Sequence, residues 1–172
     1  ELYAHGAGRD TTMRIVAPET SIILAAIVTD PPYLMSARTL APSRILLVPA
    51  ALIRELVKDD PALMQATMRE LAQAYRDMVR ALTDMKLRQS AERLGNLILQ
   101  HERRQGRTGK LQLKAEKRLL ASLLGMTPEN LSRAFGVLSG HGITVSAAQI
   151  TITDRAALEA FSRPDPVPDD QC

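Results

Sequence analysis

A chain of 172 residues, 45% apolar and 24% charged, has the length for one large or two small domains with proper cores, and its formal net charge is +3. No apolar run approaches the length that spans a bilayer and no signal-peptide pattern opens the chain, so a cytoplasmic location and no membrane partner are expected. The one cysteine is the last residue, Cys172, which excludes a disulfide framework or a cysteine-ligated metal site within these residues.

The chain begins with Glu1 rather than methionine, and a preceding N-terminal portion is expected. Leu2 to Ala4 and Thr12 to Ala17 read as two strands around the loop HGAGRD, whose glycines and aspartate favour a tight reversal. Ser21 to Val28 is apolar throughout, and periodicity does not decide between strand and short helix at that length. Asp30, Pro31 and Pro32 break it. Ser36 to Leu40 and Arg44 to Val48 then read as further strands, the second closed by Pro49. Ala50 to Lys58 has the pattern of a short amphipathic helix that ends at Asp59, Asp60 and Pro61.

The longest periodic stretch follows. Met64, Met68, Leu71, Tyr75, Met78, Leu82 and Met85 recur in alternating steps of four and three, the seam of a two-stranded coiled coil. The alternative is a single amphipathic helix lying on its own sensor domain. The strict 3.5-residue period narrows the stripe to a seam and favours a dimerisation helix spanning about 30 Å from Met64 to Met85. The methionines in it are soft and adaptable, which suits repacking between two states of a homodimer.

Lys86 to Gln89 reads as a hinge. Ser90 is expected to cap a helix through Arg104, with Leu94, Leu97 and Ile98 facing inward. GRTG, residues 106–109, makes a turn, and LQL at 111–113 suits a short strand pairing with a later hairpin. Leu119 to Leu138 then reads as two short helices around Gly125 and Met126. The second opens on Thr127 as a hydroxyl cap, with Pro128 at the first helical position, where a missing N–H is not felt. On it Leu131, Phe135 and Leu138 form the buried stripe, while Glu129, Ser132, Arg133 and Gly136 share another face. Upstream, Leu120 and Leu124 supply the matching stripe, and Ala121 is small where two steeply crossing helices would touch. Any helical hairpin could satisfy the apolar pattern. The polar trio at the start of the second helix is what points to a helix-turn-helix entering the major groove of double-stranded DNA.

Ile143 to Val145 and Ile150 to Thr153, joined through Ser146 to Gln149, read as a hairpin, the wing. Asp154 caps a last helix to Phe161. From Arg163 the proline-rich, acidic RPDPVPDDQC has nothing to bury and is expected to be a disordered tail. Charge is uneven as well. Between Lys86 and Arg118 there are ten Lys or Arg against three Glu. A basic run is usually a solvated face; beside a helix-turn-helix it is better read as the electrostatic footprint for phosphates.

The segment GMTPENLSRAF, with GHGITVSAAQITITD behind it and the long helix ahead, resembles the CRP/FNR family of bacterial transcription regulators from about Leu2 to Phe161. The resemblance implies an α+β chain: a partial β-roll sensor domain (1–60), similar to cyclic-nucleotide-binding domains, the dimerisation helix and hinge (61–88), a winged helix-turn-helix (89–162) and the tail (163–172). It further implies that Glu129, Ser132 and Arg133 read bases, matching the E-x-x-S-R arrangement of the FNR-like branch and its TTGAT half-site in an inverted repeat. Arginine suits bidentate bonding to guanine, and glutamate accepts from a cytosine amino group. Pro128 stands where the CRP branch carries a basic residue. Lys117, Arg118, Thr127 and Asn130 are the family's phosphate positions, which fix register without specifying sequence. RNA polymerase is the protein partner the resemblance implies.

Some relatives bind cyclic AMP through a Gly-Glu pair and, about eleven residues later, an Arg-Ser pair. Aligned on Ser36-Ala37, this chain has Leu24-Ala25 and Met35 at those places. A buried phosphate without its cation is badly under-compensated, so cyclic nucleotide binding is not expected. The apolar replacements leave a pocket for haem or another hydrophobic ligand, or plain core; no cofactor is assigned. No Ser/His/Asp set, metal-spaced cluster or phosphate-cradling glycine loop appears, and His5, His101 and His141 lie in loops or on a polar helix face, so neither catalytic nor metal residues are expected. A second class remains: a coiled-coil interaction module whose basic face meets an acidic partner, distinguished by indifference to DNA sequence.

Overall fold

The computed structural model describes residues 1–6, 8–22, 24–29, 32–113, 115–146 and 149–164. They form two compact units, Glu1–Leu82 and Thr83–Cys172.

In the first unit, β1 (Leu2–Gly6) and β2 (Arg9–Arg14) form an antiparallel hairpin. Gly6 lies opposite Arg9, so the reversal is tighter than the loop of 5–10 expected from sequence. β3 (Ser36–Ala37) adds to the other edge of β1, giving the order β2-β1-β3. The ambiguous apolar stretch is a helix, α1 (Leu24–Thr29). Two expected strands are corrected. Ser36 to Leu40 shrinks to the two residues of β3, and Arg44 to Val48 forms no strand, with Leu46 and Leu47 almost fully exposed. A strand must share its N–H and C=O groups with a neighbour, and no further strand among the described residues meets this segment. α2 (Ala50–Asp59) is tied to α1 by the Arg54 guanidinium, which donates to the Ile27 carbonyl at 3.0 Å.

α3 (Pro61–Leu87) follows directly, and the boundary between the units falls inside it. Asp60 caps it, its carboxylate accepting the N–H groups of Ala62 at 2.8 Å and Leu63 at 3.0 Å.

The second unit holds α4 (Ser90–Arg104), β4 (Lys110–Gln112), α5 (Lys117–Leu123), α6 (Pro128–Ser139), β5 (Ile143–Ser146), β6 (Gln149–Ile152) and α7 (Arg155–Ser162). Gln89, not Ser90, is the cap of α4; the Glu92 carboxylate accepts the Gln89 N–H at 2.6 Å. Leu94, Ile98 and Leu99 are fully buried, whereas Leu97 only partly is, so the inward stripe is rotated by about one position from the expected one. Leu120, Leu131, Leu138, Ile143, Ile150 and Leu158 complete a single core. β4 does pair with the wing, in the order β4-β6-β5, and Ser146 faces Gln149 across the hairpin. Gly142, at φ 89°, closes α6 onto the wing: a Cβ there would lie 2.2 Å from the Asp154 carbonyl oxygen. Asp154 caps α7 as expected, accepting the Ala157 N–H at 3.0 Å. Most of the expected disordered tail, from residue 165 on, lies outside the described residues.

Candidate nucleic-acid interface

α5 and α6 are joined by a turn that Gly125 makes possible. Its φ of 61° is left-handed, which a side chain resists, and the Met85 methyl carbon would be 3.0 Å from a Cβ there. The Gly125 and Met126 N–H groups donate back to the carbonyls of Ser122 and Ala121, both at 3.0 Å, which ends α5 without orphaned acceptors. α6 then starts as its sequence dictates. The Thr127 hydroxyl accepts the Asn130 N–H at 3.2 Å, and Pro128 occupies the first helical position. Its buried residues are Leu131, Ala134 and Leu138. Phe135 is only half-buried, and Ala134 takes the place expected for it, because an alanine lets α6 approach the neighbouring helix closely.

Glu129, Ser132, Arg133 and Gly136 are all exposed on the opposite face. The Thr127 hydroxyl and the Glu129 N–H hold the Glu129 carboxyl below the usual glutamate range, with the Arg133 charge adding to this. It is therefore an acceptor at neutral pH. Arg133 donates to the Asn130 side-chain oxygen. Two residues expected at phosphates thus have local duties already: Thr127 caps the helix, and Asn130 accepts a hydrogen bond from Arg133. Lys117 and Arg118 stand exposed in the first turn of α5.

The basic stretch divides into two sets. Arg104, Arg107, Lys110, Lys117 and Arg118 point to solvent. Arg88 and Arg93 turn inward: Arg93 donates from Nε to the Leu124 carbonyl at 3.0 Å and from Nη1 to the Arg88 carbonyl at 2.8 Å. Arg88 pairs with Asp84 and donates to the Arg163 carbonyl at 2.6 Å. Sequence reading also missed Glu102. Fully buried, it pairs with Arg155 at 2.6 Å and accepts the Gly109 N–H at 2.8 Å, so one carboxylate fastens α4 to α7 and to the turn before β4. Burial pushes its carboxyl up, but the Arg155 hydrogen bond, the Gly109 N–H and the charges of Arg155 and Arg107 together hold it below the ordinary value. Charge alone gives no sequence signal for this; the position of Glu102, one turn beyond the buried Ile98, does.

The seam of α3 is open. Met64, Met68, Tyr75, Met78, Leu82 and Met85 are exposed, with Tyr75 at 68%, and Leu71 is half-buried. The half-covered side of the helix is mixed: the polar Thr67, Glu70, Gln73, Asp77 and Arg80 lie there with Leu63, Leu71 and Ala74, Asp77 reaching Arg14 of β2 at 3.6 Å. The apolar stripe is thus not used against the helix's own sheet.

At the aligned nucleotide positions, Leu24 and Met35 are half-buried and Ala25 exposed. The nearby Arg38 is committed to carboxylates, donating to Glu1 at 2.5 Å and Asp10 at 3.2 Å. None of Leu24, Ala25 and Met35 offers the charge that would compensate a cyclic phosphate. Among the described residues no group of three His, Cys, Asp or Glu could hold a metal ion, and no helix is long and apolar enough to cross a membrane.

Comparison with known proteins agrees with this geometry. Residues 92–161 match the Crp-like helix-turn-helix domain family. No curated sequence matches the chain. Among solved structures, FixK2 from Bradyrhizobium japonicum is similar at 20% identity and a TM-score of 0.60, over 70% of this chain and 61% of its own. A candidate cAMP-binding regulatory protein from Silicibacter pomeroyi is similar at 25% identity and a TM-score of 0.59, over 94% of this chain and 72% of its own. A candidate transcriptional regulator of the CRP/FNR family from Eubacterium rectale is similar at 22% identity and a TM-score of 0.55, over 68% of this chain and 53% of its own. The chain spans 61% of the length of the FixK2 structure it matches. The C-terminal unit is a Crp-like helix-turn-helix domain. Outside residues 92–161 the likeness to these structures is one of fold.

Proposed function

We propose that this chain reads DNA as a homodimer on an inverted repeat of FNR-like half-sites, under the control of a signal received by its β-sheet unit. The observation that carries the reading is the exposed Glu129, Ser132 and Arg133 on a helix that Thr127 caps and whose other side is anchored in the core. That is the arrangement a recognition helix needs in order to place two bidentate-capable side chains in a major groove. Lys117 and Arg118, with the outward set Arg104, Arg107 and Lys110, supply the phosphate attraction that holds such a helix in register.

The dimer rests on α3. An apolar seam left open while the mixed side is half-covered calls for an apolar partner, and a second copy of the same helix fits it. The seam's flanks, Gln65, Thr67, Ala72, Ala74, Val79 and Ala81, carry no charge, and the one charged flank is Lys86 at its end. Burial alone would hold such a dimer together. By the same family resemblance RNA polymerase is the downstream partner.

The test is fluorescence anisotropy with a labelled duplex bearing TTGAT and its inverted repeat, against a scrambled duplex, at near-physiological salt. Tight, scramble-sensitive binding is the expected result. Weak binding that ignores sequence and fades with salt would support the interaction module instead.

A further inference from the structure

We infer that Arg93 is a positioning residue for DNA recognition: its guanidinium locks the turn before the recognition helix to the end of α3, so that residues 84–89 move with the reading unit. This rests on the DNA-reading function proposed above. Sequence alone makes Arg93 one more member of the phosphate footprint and 86–89 a joint. The geometry assigns both differently.

The Leu124 carbonyl that receives Arg93 Nε belongs to the last residue before Gly125, where the left-handed backbone sets the direction in which α6 departs. The Arg88 carbonyl that receives Nη1 lies between α3 and α4. One planar fork therefore spans the two places where the chain changes direction, and it fixes their separation in a way a flexible ammonium does not. Two more contacts fasten the same segment. Arg88, itself bonded to Asp84, reaches the Arg163 carbonyl beyond α7, and the Met85 thioether rests against Gly125. Met85 is also the last residue of the seam. Repacking of the seam at Met85 would thus be felt at the turn directly.

The experiment uses the whole chain carrying Arg93→Lys or Arg93→Gln, titrated with the TTGAT inverted-repeat duplex and the scrambled duplex over a salt series, with the active fraction set by stoichiometric titration. Both variants are expected to lower the specific-to-scrambled affinity ratio about tenfold, as loss of hydrogen bonds from a charged donor would. The salt slope is expected to stay at the wild-type value, since no phosphate contact is lost. Recovery of the ratio by the lysine variant would overturn the proposal, as would a slope smaller by about 0.9 in the glutamine variant, the mark of one lost phosphate contact. Reduced thermal stability with the ratio unchanged in the active fraction would overturn it too, leaving Arg93 merely structural. Wild-type protein without sequence preference would overturn the functional reading and this inference together. Wild-type preference that both variants keep would overturn this inference alone.

Discussion

At the scale of single residues the interface separates reading from holding. Arg133 is exposed and hydrogen-bonded to Asn130, so on the proposed reading Arg133→Ala should cost roughly 1–3 kcal/mol at the guanine it would contact and relax specificity at that position. Lys117→Ala should weaken specific and random duplexes alike and lower the salt slope by about one phosphate. Competition titrations with single-base variants of the half-site separate the two, and equal losses on every duplex from both substitutions would contradict the assignment. Glu102 gives a prediction of another kind. Its folded carboxyl titrates below the ordinary value, so its contribution to stability is complete above about pH 4.3, the unfolded glutamate value, and disappears as pH falls through the folded value. Acid unfolding of Glu102→Gln should therefore show a shallower loss of stability over that range than wild type, all other carboxylates being common to both. At neutral pH, Arg155→Ala should cost about 3 kcal/mol, because it strands a fully buried carboxylate.

At the scale of elements, α3 is amphipathic in an unusual sense: the exposed face is the apolar one. Placing a charge in the middle of that face should abolish self-association without unfolding either unit, since Met68 and Tyr75 touch solvent and α3 has no fully buried residue. Met68→Glu with Tyr75→Glu is expected to sediment as a monomer, to keep its helical circular dichroism, and to bind a full inverted repeat no better than a half-site. A variant that stays dimeric would move the interface away from α3. The winged unit depends on its connections in the same way. Neither α5, seven residues long, nor the three-residue β4 has enough of its own contacts to persist outside the shared core.

At the scale of the whole molecule, two associations are held by different forces and should respond oppositely to salt. The proposed seam is flanked by uncharged residues except Lys86 at its end, so the dimer constant measured by sedimentation should change little between about 50 and 200 mM salt, whereas DNA affinity should fall steeply over the same range. A dimer that dissociates along with the DNA would indicate charge pairing across α3. Helix α6, its Thr127 cap, the Gly125 turn, the β5–β6 hairpin, the α7 cap and the apolar stripe of α3 were all legible in the sequence, because each rests on local rules of capping, turn conformation and periodicity acting over a few neighbouring residues. Other features were decided only by tertiary structure. Residues 44–48 had the composition of a strand but meet no pairing strand among the described residues, and the two-fold choice for the stretch 21–28 fell to a helix from Leu24 on. Arg88 and Arg93 read as part of a phosphate footprint, with Glu102 among them, and all three proved to be internal fasteners, since whether a charge meets water, a phosphate or a backbone carbonyl depends on what the folded chain brings opposite it.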